Sequence, residues 1–325
     1  MMGKQGSNAH VIMGAGAVGT AIARELLQRG EANVRLVSRS GSLPEGSGLP
    51  AHVAVAKGDL SDPHFAIQAC KGASVVYHCA QPGYTKWPKE FPALTSAIME
   101  GAMAVDAKLV VADNLYMYGQ VDGPMKETLP NRAAGPKGRT RAAMASKLLQ
   151  DHHEGKIRVA IGRAADFYGP GVLQSWMGER VFKFALQGKP VEALGNCDMP
   201  HTYTYIGDFA RGLITLGQED RALGEAWHIP SANTLATRQL LQVMFEELGA
   251  VRKVRSFSRT GVNLLALAMP IMKEFKEIMY EFEQPFIMDH SKFMAVFPEH
   301  QVTPHREAMR QTLQWYRQRF GLQHV

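Results

Sequence analysis

The feature that most limits what this chain can fold into is a glycine triplet between two opposite periodicities. Val11-Ile12-Met13 is a short apolar run that reads as a strand, and Gly14-x-Gly16-x-x-Gly19 follows at once. Residues 17–29 then place Val18, Ile22, Leu26 and Leu27 along one side of a helix, and residues 33–38 read as a second strand. Between a strand and a helix each glycine has its own task. Gly14 permits a tight turn, Gly16 lets backbone approach a pyrophosphate, and Gly19 lets helix and strand pack closely. The helix N-terminus offers its free N–H groups to the anion.

A nicotinamide-dinucleotide site usually carries an acidic residue about 20 positions beyond the glycines. Here Ser38-Arg39-Ser40 stands there. A carboxylate would repel a 2′-phosphate, whereas a guanidinium attracts it with paired donors and the two serines add hydroxyls. The expected cofactor is therefore NADP(H). Asp59, after the third strand, is placed to meet the adenine, beside Leu60. Ala17, Val18, Cys79 and Ala80 complete the expected cofactor-facing set.

Strand-like and helix-like segments alternate through the first half of the 325 residues, with a sixth strand at 157–161. That order predicts an α/β fold, a doubly wound parallel sheet with the glycine turn at its carboxyl edge. Residues 1–165 are read as the dinucleotide-binding domain. Residues 166–325 are read mainly as a smaller substrate lobe with segments returning to the main sheet, and helices are expected at 172–187, 207–217 and 236–249. Leu264, Leu265, Leu267 and Met272 read as core or as a lobe contact.

No stretch of ~18 apolar residues is present, so no membrane span is expected. The N-terminal decapeptide is polar, so no signal peptide is expected. Cys70, Cys79 and Cys197 lack metal-like or redox-like spacing. A cytoplasmic location follows as an expectation. The net charge of +6 comes from scattered basic residues with no nucleic-acid motif, so no nucleic-acid partner is expected. His152-His153 point to different sides of a helix and have no third ligand, so no metal is expected.

GAGAVG (14–19), GDL (58–60), VVYHCA (75–80), YMYG (116–119), GRAADFYGPGV (162–172) and HTYTYIGDFARGL (201–213) together resemble the short-chain dehydrogenase/reductase superfamily. The resemblance is to its extended or atypical branch, related to nucleotide-sugar epimerases and dehydratases. It implies a Rossmann-type domain with a small C-terminal substrate domain, and a homodimer. It also implies a catalytic Ser or Thr after the fifth strand and Tyr-x-x-x-Lys on the next helix. Lys147 fits that lysine, as a ligand of the nicotinamide ribose, but Ala143 stands four residues earlier and Asn114 takes the serine position. The proton carrier stays open between Tyr116, Tyr168, Lys147 itself, and none. Tyr118 is expected to pack under its turn, and Asp208 to cap the helix after it.

Three segments are expected to bind substrate. Residues 80–88 form a loop with Gln81, Tyr84 and Trp87, residues 166–177 carry Asp166 and Tyr168, and residues 197–208 carry His201 and Tyr203. By the resemblance, Asp166 sits where a substrate-facing Asn is common. Aromatics with few charges suit an uncharged, partly apolar small molecule. The leading expectation is an NADP(H)-dependent oxidoreductase acting on a small carbonyl or enone. The alternatives are a non-catalytic NADP(H) sensor, and an epimerase or dehydratase that uses the cofactor transiently.

Overall fold

The computed structural model describes residues 9–262 and 276–322. Leu264, Leu265, Leu267 and Met272, and the polar residues 1–8, lie outside the described residues. The first element is strand β1, Ala9–Met13, whose last four residues are buried. Helix α1, Ala17–Gln28, turns Ile22, Ala23 and Leu26 inward. Strand β2 (Val34–Ser38), β3 (Ala54–Lys57), helix α2 (Pro63–Cys70), β4 (Ala73–His78), helix α3 (Trp87–Ala104) and β5 (Lys108–Asp113) continue the alternation. Helix α4, Pro136–His153, leads to β6, Arg158–Arg163.

The fold is α/β, built on a seven-stranded sheet of Rossmann type. Its strand order is β11-β6-β5-β4-β1-β2-β3, with β11 at Ala226–His228. Neighbours from β3 through β6 pair in parallel. The chain winds outward from β1 to β3, then crosses back to place β4 on the other side of β1. That reversal is a topological switch point, and its carboxyl edge opens the crevice where doubly wound sheets take ligands.

By its contacts the chain forms two compact units. One comprises residues 1–113, 140–163 and 210–227; the other comprises 114–139, 164–209 and 228–325. The second unit contains β7 (Asp166–Tyr168), helix α5 (Glu179–Leu186), β8 (Val191–Leu194), β9 (Pro200–His201) and β10 (Tyr203–Tyr205). Strand β10 pairs in parallel with β7, setting Tyr203 opposite Asp166. Helix α6, Ile206–Gln218, follows β10 directly, and a later helix covers Thr237–Leu248.

Two elements differ from the sequence reading. Trp87 and Pro88 open α3 instead of prolonging a loop. Proline within the first turn loses no hydrogen bond and its fixed φ suits the helix, so it acts here as a start signal. The helix expected at 172–187 is confined to Glu179–Leu186. Before it the chain folds tightly around Gly178, where an added Cβ would lie 2.6 Å from the carbonyl oxygens of Leu173 and Ser175.

Candidate functional site

The glycine turn sits at the switch point. Gly14 has φ +111°, and a Cβ there would come within 2.7 Å of the Ala80 backbone nitrogen. The ends of β1 and β4 are stitched by Cys79 N–H donating to the Met13 carbonyl, 2.9 Å. Gly19 is boxed in as well, since its Cβ would lie 1.9 Å from the Gly14 carbonyl oxygen. Gly16 differs from both: a Cβ there meets nothing within 4 Å. Gly16 is the N-cap of α1, which has no side-chain cap and no acidic residue in its first turn. A helix start with uncapped N–H groups and open space above its glycine fits a dinucleotide pyrophosphate.

At the end of β2 the Ser38 hydroxyl accepts from Gly41 N–H, 3.1 Å, and the Ser40 hydroxyl accepts from the Ser42 hydroxyl, 3.0 Å. These bonds fix the loop and leave Arg39 exposed. Asp59 accepts from the Ser61 N–H (2.9 Å) and hydroxyl (2.7 Å). Those two donors hold its carboxyl below the usual range, and the Arg39 charge adds to the effect. Arg39 and Asp59 therefore share one neighbourhood at the β2 and β3 ends. Leu60 is buried beside them.

The ends of β4 and β5 are organised by a residue that the sequence reading missed. Arg141, buried on α4, donates to Asp113 Oδ1 at 3.2 Å, and Arg163 Nε donates to Oδ2 of the same carboxylate at 3.2 Å. The Arg141 guanidinium lies 4.4 Å from the Trp87 ring centroid and 4.5 Å from that of Phe91. It also reaches Gln81, at 3.4 Å. Trp87 is thus a wall beneath an arginine, with its indole N–H given to the Pro82 carbonyl at 3.3 Å. Tyr84 packs edge-on against it, 5.0 Å between centroids. Next to Arg141, His78 is pushed down to about 3, mainly by burial and then by that guanidinium.

Helix α4 has one buried and one exposed face. Arg141, Met144, Ala145, Leu148 and Asp151 are buried, while Ala143 and Lys147 are exposed. Lys147 reaches along the helix to Asp151. Four residues before Arg141 stands Lys137, also buried. Its backbone N–H donates to Glu277 Oε1 at 2.9 Å and its Nζ to Oε2 at 3.0 Å. A basic pair at four-residue spacing therefore occupies the inward face, more than a turn before Lys147. The period of Arg141, Met144 and Leu148 was the available signal.

The second unit gathers the remaining residues. Asn114 Oδ1 accepts the Tyr116 N–H at 3.2 Å, which fixes the turn after β5. Tyr116 is half-buried against Leu194, Ile278 and Phe282. The first turn of α4 abuts this turn, since a Cβ on Gly138 would lie 2.5 Å from the Tyr116 carbonyl oxygen. Tyr168 is fully buried with its hydroxyl 3.3 Å from His305 Nδ1, and Tyr203 is buried with its hydroxyl 2.8 Å from Thr237. Burial pushes both phenols up. Tyr118 bonds His228 at 2.8 Å, and Asp208 receives the Thr303 hydroxyl at 2.7 Å. Asp166 and His201 are joined at 2.9 Å between Oδ2 and Nε2. Among the described residues, no group of three His, Cys, Asp or Glu is arranged to hold a metal, and no helix is long and apolar enough to cross a membrane.

The profile of the NAD dependent epimerase/dehydratase family matches residues 10–229, more than half of the chain. A UDP-glucuronate 4-epimerase of Thermodesulfobacterium geofontis (strain OPF15) is 25% identical over 164 residues, 48% of this chain and 49% of the relative. The match thus spans about half the length of that relative. Among solved structures, dTDP-glucose 4,6-dehydratase from Streptomyces venezuelae, with NAD and TYD bound, superposes with a TM-score of 0.78 at 18% identity, covering 96% of this chain and 98% of the other. A Thermus thermophilus UDP-glucose 4-epimerase in complex with NAD gives 0.74 at 22% identity, covering 95% and 99%. At these identities the structural likeness is one of fold.

Proposed function

From the premise that the chain belongs to the NAD-dependent epimerase/dehydratase family, we propose that it is an enzyme that oxidises and re-reduces a hydroxyl-bearing carbon of a small molecule with a nicotinamide dinucleotide. The observation that carries this reading is the open glycine turn at the switch point: Gly16 with clear space above an uncapped helix start. Relatives that are sugar-nucleotide epimerases and dehydratases support the substrate class. They favour transient use of the cofactor over net reduction of a carbonyl or enone. Trp87, Tyr168 and Tyr203 are buried with bonds of their own, which takes support away from an uncharged, partly apolar ligand.

NADP(H) is the proposed form of the cofactor. The support is Arg39, exposed just after β2 where a carboxylate would otherwise meet the ribose hydroxyls. Gly14, Gly16, Gly19, Arg39 and Asp59 would hold the dinucleotide, which supplies hydride acceptance and return. Arg141 would set the potential at the carboxyl edge of β4 and β5. Lys147, the sequence-derived ribose ligand, is exposed and reaches Asp151, and competes for that role with Arg141, buried on the other face of α4 in the unit that holds the glycine turn. A homodimer and a cytoplasmic location belong to the same proposal.

The test is calorimetric titration with NADPH, NADH, NADP⁺ and NAD⁺, then incubation with UDP-glucose and UDP-glucuronate. Preference for the phosphorylated pair and interconversion of a sugar without net cofactor consumption are expected. Stoichiometric oxidation of NADPH by a carbonyl compound would instead establish the reductase reading. If nothing binds, and no cofactor has survived purification in the site, the proposal fails.

A further inference from the structure

The loop after β2 carries hydroxyls whose donors and acceptors can be counted. Ser42 gives both its N–H, at 3.4 Å, and its hydroxyl, at 3.0 Å, to Ser40 Oγ. A serine oxygen has two lone pairs and one hydrogen. With both lone pairs taken, Ser40 must donate, and Ser38 Oγ stands 3.3 Å away. Ser38 Oγ also accepts the Gly41 N–H at 3.1 Å. Its lone pairs are then filled as well, and its own O–H is left for an acceptor outside the loop. The hydroxyls run from Ser42 through Ser40 to Ser38, each polarising the next. The chain ends in a donor next to the exposed Arg39.

A second cation lies against the same loop. Lys57, the last residue of β3, is paired with Ser38 across the sheet, and Gly58 N–H donates to the Ser38 carbonyl at 3.2 Å. Gly41 has φ +70°, and a Cβ placed there would stand 2.6 Å from Lys57 Cβ, 3.1 Å from Cγ and 3.2 Å from Cδ. The aliphatic stem of Lys57 therefore runs along Gly41, and a side chain at that position would push it aside. Lys57 is exposed and has no ion-pair partner among the described residues.

The charges decide what this loop can hold. The Asp59 carboxyl is held low first by its two bonds from Ser61 and then by the Arg39 charge, so it is ionised at neutral pH. Beside that carboxylate, the guanidinium alone leaves no net positive charge. A phosphomonoester carries about −1.5 to −2 at neutral pH. Lys57 restores the positive excess that such a group needs, as a compact point charge.

Building on the NADP(H) reading, we propose that Lys57 and the Ser38 hydroxyl join Arg39 in one phosphomonoester site for the 2′-phosphate of the dinucleotide. Arg39 is shared with Asp59, and Lys57 is not, so Lys57 is a second determinant of the choice between phosphorylated and unphosphorylated cofactor. Ser40 and Ser42 orient and polarise Ser38 without touching the phosphate. Every residue of the site belongs to the unit that holds the glycine turn.

The test is calorimetric titration of the full-length chain, freed of any co-purified nucleotide, with NADPH, NADH and two fragments, adenosine 2′,5′-bisphosphate and adenosine 5′-monophosphate. Lys57→Gln should weaken NADPH and the bisphosphate at least about tenfold and leave NADH and the monophosphate within about twofold of the wild type. Lys57→Arg should recover most of the loss. Ser38→Ala should weaken the two phosphorylated ligands roughly three- to tenfold. Lys57 is exposed, so both of its variants should melt like the wild type. Unchanged NADPH affinity in Lys57→Gln, against a wild type that prefers NADPH, overturns the role of Lys57 and leaves the Arg39 reading standing. An equal fall for NADH and NADPH also overturns it, because NADH has no 2′-phosphate to lose. A wild type that binds NADH as tightly as NADPH, or binds neither, removes the phosphorylated-cofactor reading and this site with it.

Discussion

Replacing two neighbouring glycines by alanine separates packing from ligand approach. At Gly19 an added Cβ would stand 1.9 Å from the Gly14 carbonyl oxygen, about 1.5 Å short of ordinary contact at 3.4 Å. Gly14 is itself held at the end of β1, its N–H donating to the Val37 carbonyl at 3.0 Å, so its carbonyl has little freedom to move away. Overpacking that cannot relax costs about 3 kcal/mol. Alanine in a helix returns about 1 kcal/mol relative to glycine. The net expected loss for Gly19→Ala is about 2 kcal/mol, a fall in Tm of about 3 °C. At Gly16 a Cβ meets nothing, and φ −77° suits any residue. Gly16→Ala should therefore stay within about 1 kcal/mol of the wild type. It should still weaken NADPH roughly ten- to a hundredfold, the worth of one charge-assisted hydrogen bond pushed out of reach. Thermal melts and calorimetric titration of both variants provide the assay. A Gly16→Ala protein that binds NADPH like the wild type would refute the cradle. A Gly19→Ala protein with an unchanged Tm would refute the packing argument.

Other outcomes follow from the same geometry. Arg39→Ala should weaken NADPH roughly ten- to a hundredfold and leave NADH binding and Tm unchanged, by calorimetry and melting. Arg141→Met should cost about 2–4 kcal/mol in urea unfolding, less than breaking an isolated buried pair because Asp113 keeps Arg163. Glu281 has a folded pKa raised above its unfolded one, so its stability term is fully present below the usual carboxylate range and is lost as pH rises. Glu281→Gln should therefore raise the urea midpoint at neutral pH and lose that advantage near pH 4. His78 is a base whose folded pKa of about 3 lies below its ordinary value of 6.5, so its stability term is complete above 6.5 and is lost as pH falls toward 3. Each pH unit in that window costs up to about 1.4 kcal/mol, and His78→Gln should flatten the acid limb.

The parallel sheet and its glycine turn were legible because each rests on local pattern. β1, α1 and β2 fall within a residue or two of the expected spans. Helix α3 was hidden by Pro88 and Pro92, which read as breakers until their place in the helix is known. In the candidate site the legible part was the backbone cradle, since glycines announce close approach. The buried cations were less legible. Lys147 matched the family spacing, but that spacing does not say which side of α4 faces inward. The inward side follows from Arg141, Met144 and Leu148, a stripe that mixes a cation with apolar residues. The Asp166–His201 contact joins residues 35 positions apart on β7 and β9, a distance that no local pattern encodes.

The arginine packed against Trp87 and Phe91 has a consequence for how such a protein answers acidity. A lysine in so dry a place would lose its charge within the range of pH that proteins survive, but a guanidinium keeps it. The electrical potential that Arg141 imposes on the ends of β4 and β5 is therefore a constant of the molecule. It is present at every pH at which the sheet is intact, and any change of behaviour with acidity must originate in other groups.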